Sequence, residues 1–178
     1  MPSAAAPTVA ERRGLQEVEE MFREHYELVY RTAFSILNNA ADAEDVLQTL
    51  FLRLVRREAP PDIRSNVKGY FYRTAVNLSL DIVRSKRRYE LVGDVEFFDT
   101  PADSSESQSA ERLHRRLADA LTELSPEAVH ILILRYAHDY SDRQIAKLLG
   151  TTRGAIAVRL FRLRARLRKL MGSMGEGS

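Results

Sequence analysis

Ser141-Asp-Arg-Gln-Ile-Ala-Lys-Leu-Leu-Gly150 runs directly into Thr151-Thr-Arg-Gly-Ala-Ile-Ala-Val-Arg-Leu-Phe-Arg-Leu-Arg-Ala-Arg-Leu-Arg-Lys169. Ser141 followed three residues later by Gln144 is a capping box. The serine oxygen accepts from the Gln144 N–H and the Gln144 side chain accepts from the Ser141 N–H, so a helix is predicted to start there. Ile145, Leu148 and Leu149 give that helix one apolar face. Gly150 ends it, because a residue without a Cβ enters the left-handed conformation at no steric cost. A second helix follows with Thr152 as its N-cap. Its apolar stripe is Ile156, Leu160, Leu163, Leu167 and Leu170, at spacings of four, three, four and three. Arg153, Arg159, Arg162, Arg164, Arg166, Arg168 and Lys169 stand between those positions without one acid. An ordinary solvated face mixes signs. A face of one sign repels itself unless phosphates neutralise it. Two short-linked helices of this kind make a helix-turn-helix whose second helix fits a major groove, and duplex DNA is the expected ligand.

The whole chain has 178 residues, room for one ordinary domain or two small ones, and 44% of it is hydrophobic. It has no cysteine, which removes disulfides, thiolate zinc sites and a cysteine nucleophile together and suits a reducing cytoplasm. The first residues lack the charged-then-apolar order of a signal peptide, and no apolar run approaches the length of a membrane span. Net charge is only +2, so the basic character lies in its distribution: acids gather early and in the middle, bases in two blocks.

Residues 1–14 are small, polar and proline-bearing, and are expected to be disordered. From Leu15 to Leu37, Val18, Phe22, Val29, Ala33 and Ile36 recur at helical spacing. Asn38-Asn39 breaks the pattern. A second helix opens on Asp42, Glu44 and Asp45, acids at the positive end of the helix dipole, and is expected to run to about Glu58 before Pro60-Pro61 stops it. A third helix, capped by Ser65 or Asn66, places Phe71, Ala75, Leu78 and Ile82 inward. Tyr70, Tyr72, Arg73, Asn77, Arg84, Lys86, Arg87 and Arg88 fall off that face, and aromatics beside arginines are what unstacked bases bind. Residues 89–110 change character: six acids, no Lys or Arg, and Ser104-Ser-Glu-Ser-Gln-Ser mark an acidic flexible linker, with Phe97-Phe98 its one candidate docking point. Residues 111–172 resume as helices, with Leu113, Leu117, Leu121 and Leu124 on one and Val129, Leu132, Ile133 and Tyr136 on the next, which Ser125-Pro126 starts. Residues 173–178 form a short tail. No strand signal competes, so the fold class is all-α: two small helical modules, 15–88 and 111–172, joined by the linker.

Three stretches in this order resemble RNA polymerase sigma factors of the extracytoplasmic-function (ECF) group. They are Asp42-Ala-Glu-Asp-Val-Leu-Gln-Thr-Leu-Phe-Leu-Arg-Leu, Gly69-Tyr-Phe-Tyr-Arg-Thr-Ala-Val-Asn-Leu-Ser-Leu-Asp-Ile-Val-Arg, and Leu124-Ser-Pro-Glu through to Arg159-Leu. The resemblance implies an alternative sigma factor that binds core RNA polymerase, recognises the −10 and −35 promoter elements and assists melting, in the cytoplasm, with an anti-sigma factor as a further partner. It implies polymerase contacts at Asp45 and Gln48. The loop Ala59 to Asn66 would capture a flipped base of the −10 element, and Asn66, Tyr70, Arg73, Asn77, Arg84, Lys86, Arg87 and Arg88 would hold the separated strand. Thr152, Arg153, Gly154, Arg159 and Arg162 would meet the −35 element. The chain departs from the family where Tyr70 replaces a common tryptophan, Val76 a basic residue, and Ala157 and Val158 a lysine and a serine.

Rival functions are a sigma mimic that binds an anti-sigma factor without DNA, motivated by Ala157 and Val158, and a stand-alone helix-turn-helix regulator. The regulator leaves the Asp45/Gln48 helix and the aromatic–basic helix without a purpose. An enzyme finds little support: His25, His114, His130 and His138 form no metal-spaced pair and no glycine-rich phosphate loop occurs, so neither a metal nor a cofactor is expected.

Overall fold

Capping residues set the element boundaries. The computed structural model describes residues 9–56, 65–92 and 105–173. Among these, seven helices and no strand occur: α1 (Val9–Leu37), α2 (Ala40–Val55), α3 (Val67–Val92), α4 (Ser105–Thr122), α5 (Pro126–Tyr136), α6 (Asp142–Leu149) and α7 (Arg153–Ser173). Asn38 turns the chain with a φ of 49°, and the Asn39 side chain accepts from the Asp42 N–H to start α2. The Asn66 side chain accepts from the Gly69 N–H at 2.9 Å to start α3. Ser125 caps α5 with Pro126 at its first turn. The capping box of Ser141 and Gln144 is present, and Gly150 ends α6 at a φ of 71°.

Four boundaries differ from expectation. α1 begins at Val9 rather than Leu15, because Ala10 to Arg13 are strong helix formers and one glycine at position 14 costs only about 1 kcal/mol. α3 runs on to Val92, since no glycine or proline stands between Arg88 and Gly93, and α4 begins at Ser105, once Pro101 is passed. Both ends of the expected linker are therefore helical. α2 ends at Val55, with the Arg56 N–H closing its last turn. The loop expected to capture a base, up to residue 64, the acids Asp94, Glu96, Asp99 and Asp103, and the Phe97-Phe98 pair lie outside the described residues.

α1, α2 and α3 close on a core of Val29, Ala33, Ala43, Val46, Leu50, Phe51, Leu54, Phe71 and Ala75. Its centre is aromatic: Phe51 stacks on Phe71 at 5.2 Å and takes the edge of Phe22 at 4.4 Å. A second core joins the two halves of the chain. Ile36 of α1 and Tyr72, Val76, Leu80 and Val83 of α3 meet Leu121, Val129, Leu134, Ile145, Ile156 and Leu160 of the last four helices and Leu124 of the turn between α4 and α5. Tyr72 was expected off the inward face and is instead fully buried. A second apolar stripe on α3 was waiting for a partner more than fifty residues away.

Candidate nucleic-acid interface

α7 is positioned from beneath and left open above. Ile156 and Leu160 are buried, and Leu163, Leu167 and Leu170 pack half-buried against the same core. The Thr152 hydroxyl caps the helix by accepting from the Ala155 N–H at 3.2 Å. Arg153, Gly154, Arg162, Arg164, Arg168 and Lys169 are exposed. Three of the arginines turn back to the fold: Arg159 pairs with Glu127 of α5, and Arg166 donates to the Glu123 carbonyl at 3.1 Å. The third, Arg164, donates to the Tyr136 hydroxyl at 2.6 Å and lies over its ring. Tyr136, expected on the inward face of α5, is more than half exposed for that purpose. The helix thus presents a positive surface, screened among the described residues by acid at Arg159.

The candidate strand-holding set on α3 divides. Asn77 and Arg88 are exposed. Arg84 pairs with Asp81 one turn away at 3.1 Å, a surface pair of small energetic weight. Lys86 reaches Asp42 of α2, and Arg87 reaches Glu123 in the turn after α4 at 2.8 Å, whose carboxylate raises the guanidinium pKa. Tyr70 is half-buried with its edge on Phe71, and Arg73 is half-buried beside His130. Asn66 does two structural jobs, capping α3 and donating to the Leu148 carbonyl of α6 at 3.0 Å. That bond ties the end of the candidate −10 loop to the helix-turn-helix.

The seam between the halves centres on Tyr72. Its hydroxyl donates to the His130 carbonyl at 2.6 Å, and its ring lies 5.8 Å from the His130 ring and 6.0 Å from the His138 ring. Burial raises the Tyr72 pKa well above its ordinary value. Burial, with help from the Arg73 cation, lowers His130 to about 4. Burial, with Arg31 and Lys68, lowers His138 to about 4. Thr32 gives its one proton to the Leu28 carbonyl at 2.6 Å, so at the 2.9 Å contact with His138 the imidazole Nε2–H is the donor. Both histidines are neutral at pH 7.

On α2, Asp45 and Gln48 are exposed on the face opposite the core. Leu52 and Val55, seven and ten residues past Asp45, continue that face and are each about half exposed. Sequence reading passed over these two; apolar residues out of phase with the buried stripe were the available signal.

Residues 21–89 match Sigma-70 region 2, and residues 114–167 match Sigma-70, region 4. The chain is 32% identical over 157 residues to the ECF RNA polymerase sigma factor SigL of Mycobacterium tuberculosis, covering 87% of this chain and 89% of SigL. The chain belongs to the ECF RNA polymerase sigma factors. It is also 29% identical to the RNA polymerase sigma factor CarQ of Myxococcus xanthus, over 92% of this chain and 94% of CarQ. Among solved structures, the sigma factor RpoE of Bartonella quintana, crystallised with the anti-sigma factor NepR, is 20% identical with a TM-score of 0.46, covering 88% of this chain and 98% of that one. In this sigma factor the region 2 match spans most of α1, all of α2 and most of α3. The region 4 match holds the second half of α4 together with α5 and α6, and ends within α7. It is a transcription-initiation factor of the alternative, two-region kind. Among the described residues no helix is long and apolar enough to cross a membrane.

Proposed function

We propose that this sigma factor docks on core RNA polymerase through Asp45 and Gln48, with Leu52 and Val55 extending the contact, and grips a promoter at two places. α7 enters the major groove of the upstream element, with Arg153 and Arg162 on phosphates or base edges and Thr152 and Gly154 at the close-approaching helix start. Arg159 stands at the margin, held by Glu127. Residues 15–88 act as the module that holds the −10 strand. Asn77 and Arg88 face that strand directly, Tyr70, Arg73 and Arg84 border it, and Asn66, Lys86 and Arg87 position the helix. Melting follows because an unpaired base gains stacking and hydrogen bonds that offset a few kcal/mol of unpairing. The protein works in the cytoplasm, catalyses nothing itself and needs no cofactor; the polymerase performs the chemistry. An anti-sigma factor is the expected inhibitor.

The observation that carries this reading is that the cations of α7 project outward from a helix whose other side is buried. The test is to purify the full chain with its cognate core polymerase, sequence the DNA that co-purifies, and run transcription from it. Salt-sensitive binding and defined start sites are expected, and Asp45→Lys with Gln48→Ala should abolish polymerase binding while leaving the helical spectrum unchanged. A stable complex that starts no transcript from any recovered DNA would favour the mimic, which binds an anti-sigma factor alone.

A further inference from the structure

α7 carries two apolar stripes. The buried one has been described. On the opposite side Gly154, Val158, Phe161 and Ala165 recur at spacings of four, three and four, and Ala157 borders them. All five are exposed, Val158 at 51% and Phe161 at 75%. The outward midline of a surface helix is where charge ordinarily sits. Here it is apolar, and the cations stand along its two borders, Arg162 and Lys169 on one side and Arg153, Arg164 and Arg168 on the other. A Cβ on Gly154 would meet open space, so packing within the chain does not require a glycine there. The first turn of the stripe is left low enough for something to approach closely.

A major groove is the complement of this layout. Two rows of phosphates flank a floor of base edges, and the apolar feature on that floor is the C5-methyl of thymine, which Ala and Phe side chains contact. We propose that Val158 and Phe161, with Ala157 beside them, read thymine methyl groups in the upstream promoter element, while the flanking arginines fix the helix on phosphates. Selectivity then comes from apolar contact at positions where a lysine and a serine would otherwise hydrogen-bond. The flanking cations on both borders favour duplex DNA over an apolar protein helix as the occupant. The proposal rests on the reading of α7 as the helix that enters upstream DNA, and names what it reads there.

The experiment uses the full chain bound to core polymerase and a duplex recovered by selection from a random pool. Each thymine of the upstream element is replaced in turn by deoxyuridine, which removes one methyl and leaves every hydrogen-bonding group and phosphate in place. At contacted positions, binding is expected to weaken about three- to fourfold per methyl, the effect of returning one buried carbon to water. The salt slope should stay unchanged. In Val158→Ser and Phe161→Ala the same replacement should have no effect at the position that each residue reads. Salt-dependent binding indifferent to every deoxyuridine overturns the proposal and leaves the sigma-factor reading standing. So does a selected upstream element without thymine on either strand, or a Phe161→Ala chain that binds the duplex normally but loses a protein partner. Absence of salt-dependent duplex binding altogether overturns the sigma-factor reading itself.

Discussion

α3 is buried along two faces, and they are built differently. Toward α1 and α2 it offers Phe71 and Ala75, wholly buried among Val29, Leu50 and Phe51, with rings in mutual contact. Toward α4, α5 and α6 it offers Tyr72, Val76, Leu80 and Val83, and polar links stitch the contact: Tyr72 to the His130 carbonyl, Asn66 to the Leu148 carbonyl and Arg87 to Glu123, with His138 to Thr32 of α1 beside them. Burying a phenylalanine is worth about 1.5–3 kcal/mol, and separating it from its neighbours forfeits all of that. A hydrogen bond that returns to water forfeits a net of only about 0.5–1.5 kcal/mol. The first face is the aromatic core of region 2. The second is a seam in which an apolar contact is joined by hydrogen bonds and an ion pair that water can satisfy, and two-site promoter binding would act across it.

The largest effect should come from the core face. Phe71→Ala removes a ring stacked on Phe51 and leaves a cavity, and should cost about 3–5 kcal/mol in urea unfolding. A loss under about 1 kcal/mol would mean that region 2 is no tighter than the seam. Acidification should instead act on the seam. His130 and His138 have folded pKa values depressed to about 4, so the unfolded chain takes up their protons first. Their contribution is present above about pH 6.5, is lost as the pH falls toward 4, and is flat below. Between pH 7 and pH 5 each should cost up to about 2 kcal/mol. His138→Gln, which can still donate to Thr32 and does not titrate in this range, should remove that residue's share of the slope. An unchanged slope would place the sensitivity elsewhere.

What could be read in advance followed locality. The capping box, the left-handed Gly150 and the buried stripe of α7 are signals confined to a turn or two of chain, and each stands where the spacing puts it. The seam was not legible in this way. A helix apolar on two sides has no single period, so Tyr72 and Val76 looked displaced beside Phe71 and Ala75. The partners that quiet Lys86 and Arg159 are Asp42 and Glu127, each more than thirty residues away. Charge counting along the sequence could not tell these two cations from Arg88 or Arg162, which are exposed. The outward stripe of α7 hid in the same way, behind arginines at every second or third position.

The smallest effect is the most discriminating for the seam's edge. A Cβ on Gly69 would come within 2.5–2.7 Å of the Asn66 side chain, so Gly69→Ala must drive that side chain from its place. Two bonds go with it, the cap to the Gly69 N–H and the bridge to the Leu148 carbonyl. Together they are worth about 2 kcal/mol. Against this, alanine is better than glycine inside a helix by about 1 kcal/mol. The net expectation is a loss of about 1 kcal/mol. With Asn66 already changed to alanine the clash and both bonds are gone, and only the helix preference remains, so the same Gly69→Ala change should then stabilise by about 1 kcal/mol. A reversal of sign between the two backgrounds, measured by urea unfolding, locates the strain at Asn66. The same sign in both would show that the glycine is free of its neighbour and that Asn66 does not hold the edge of the seam.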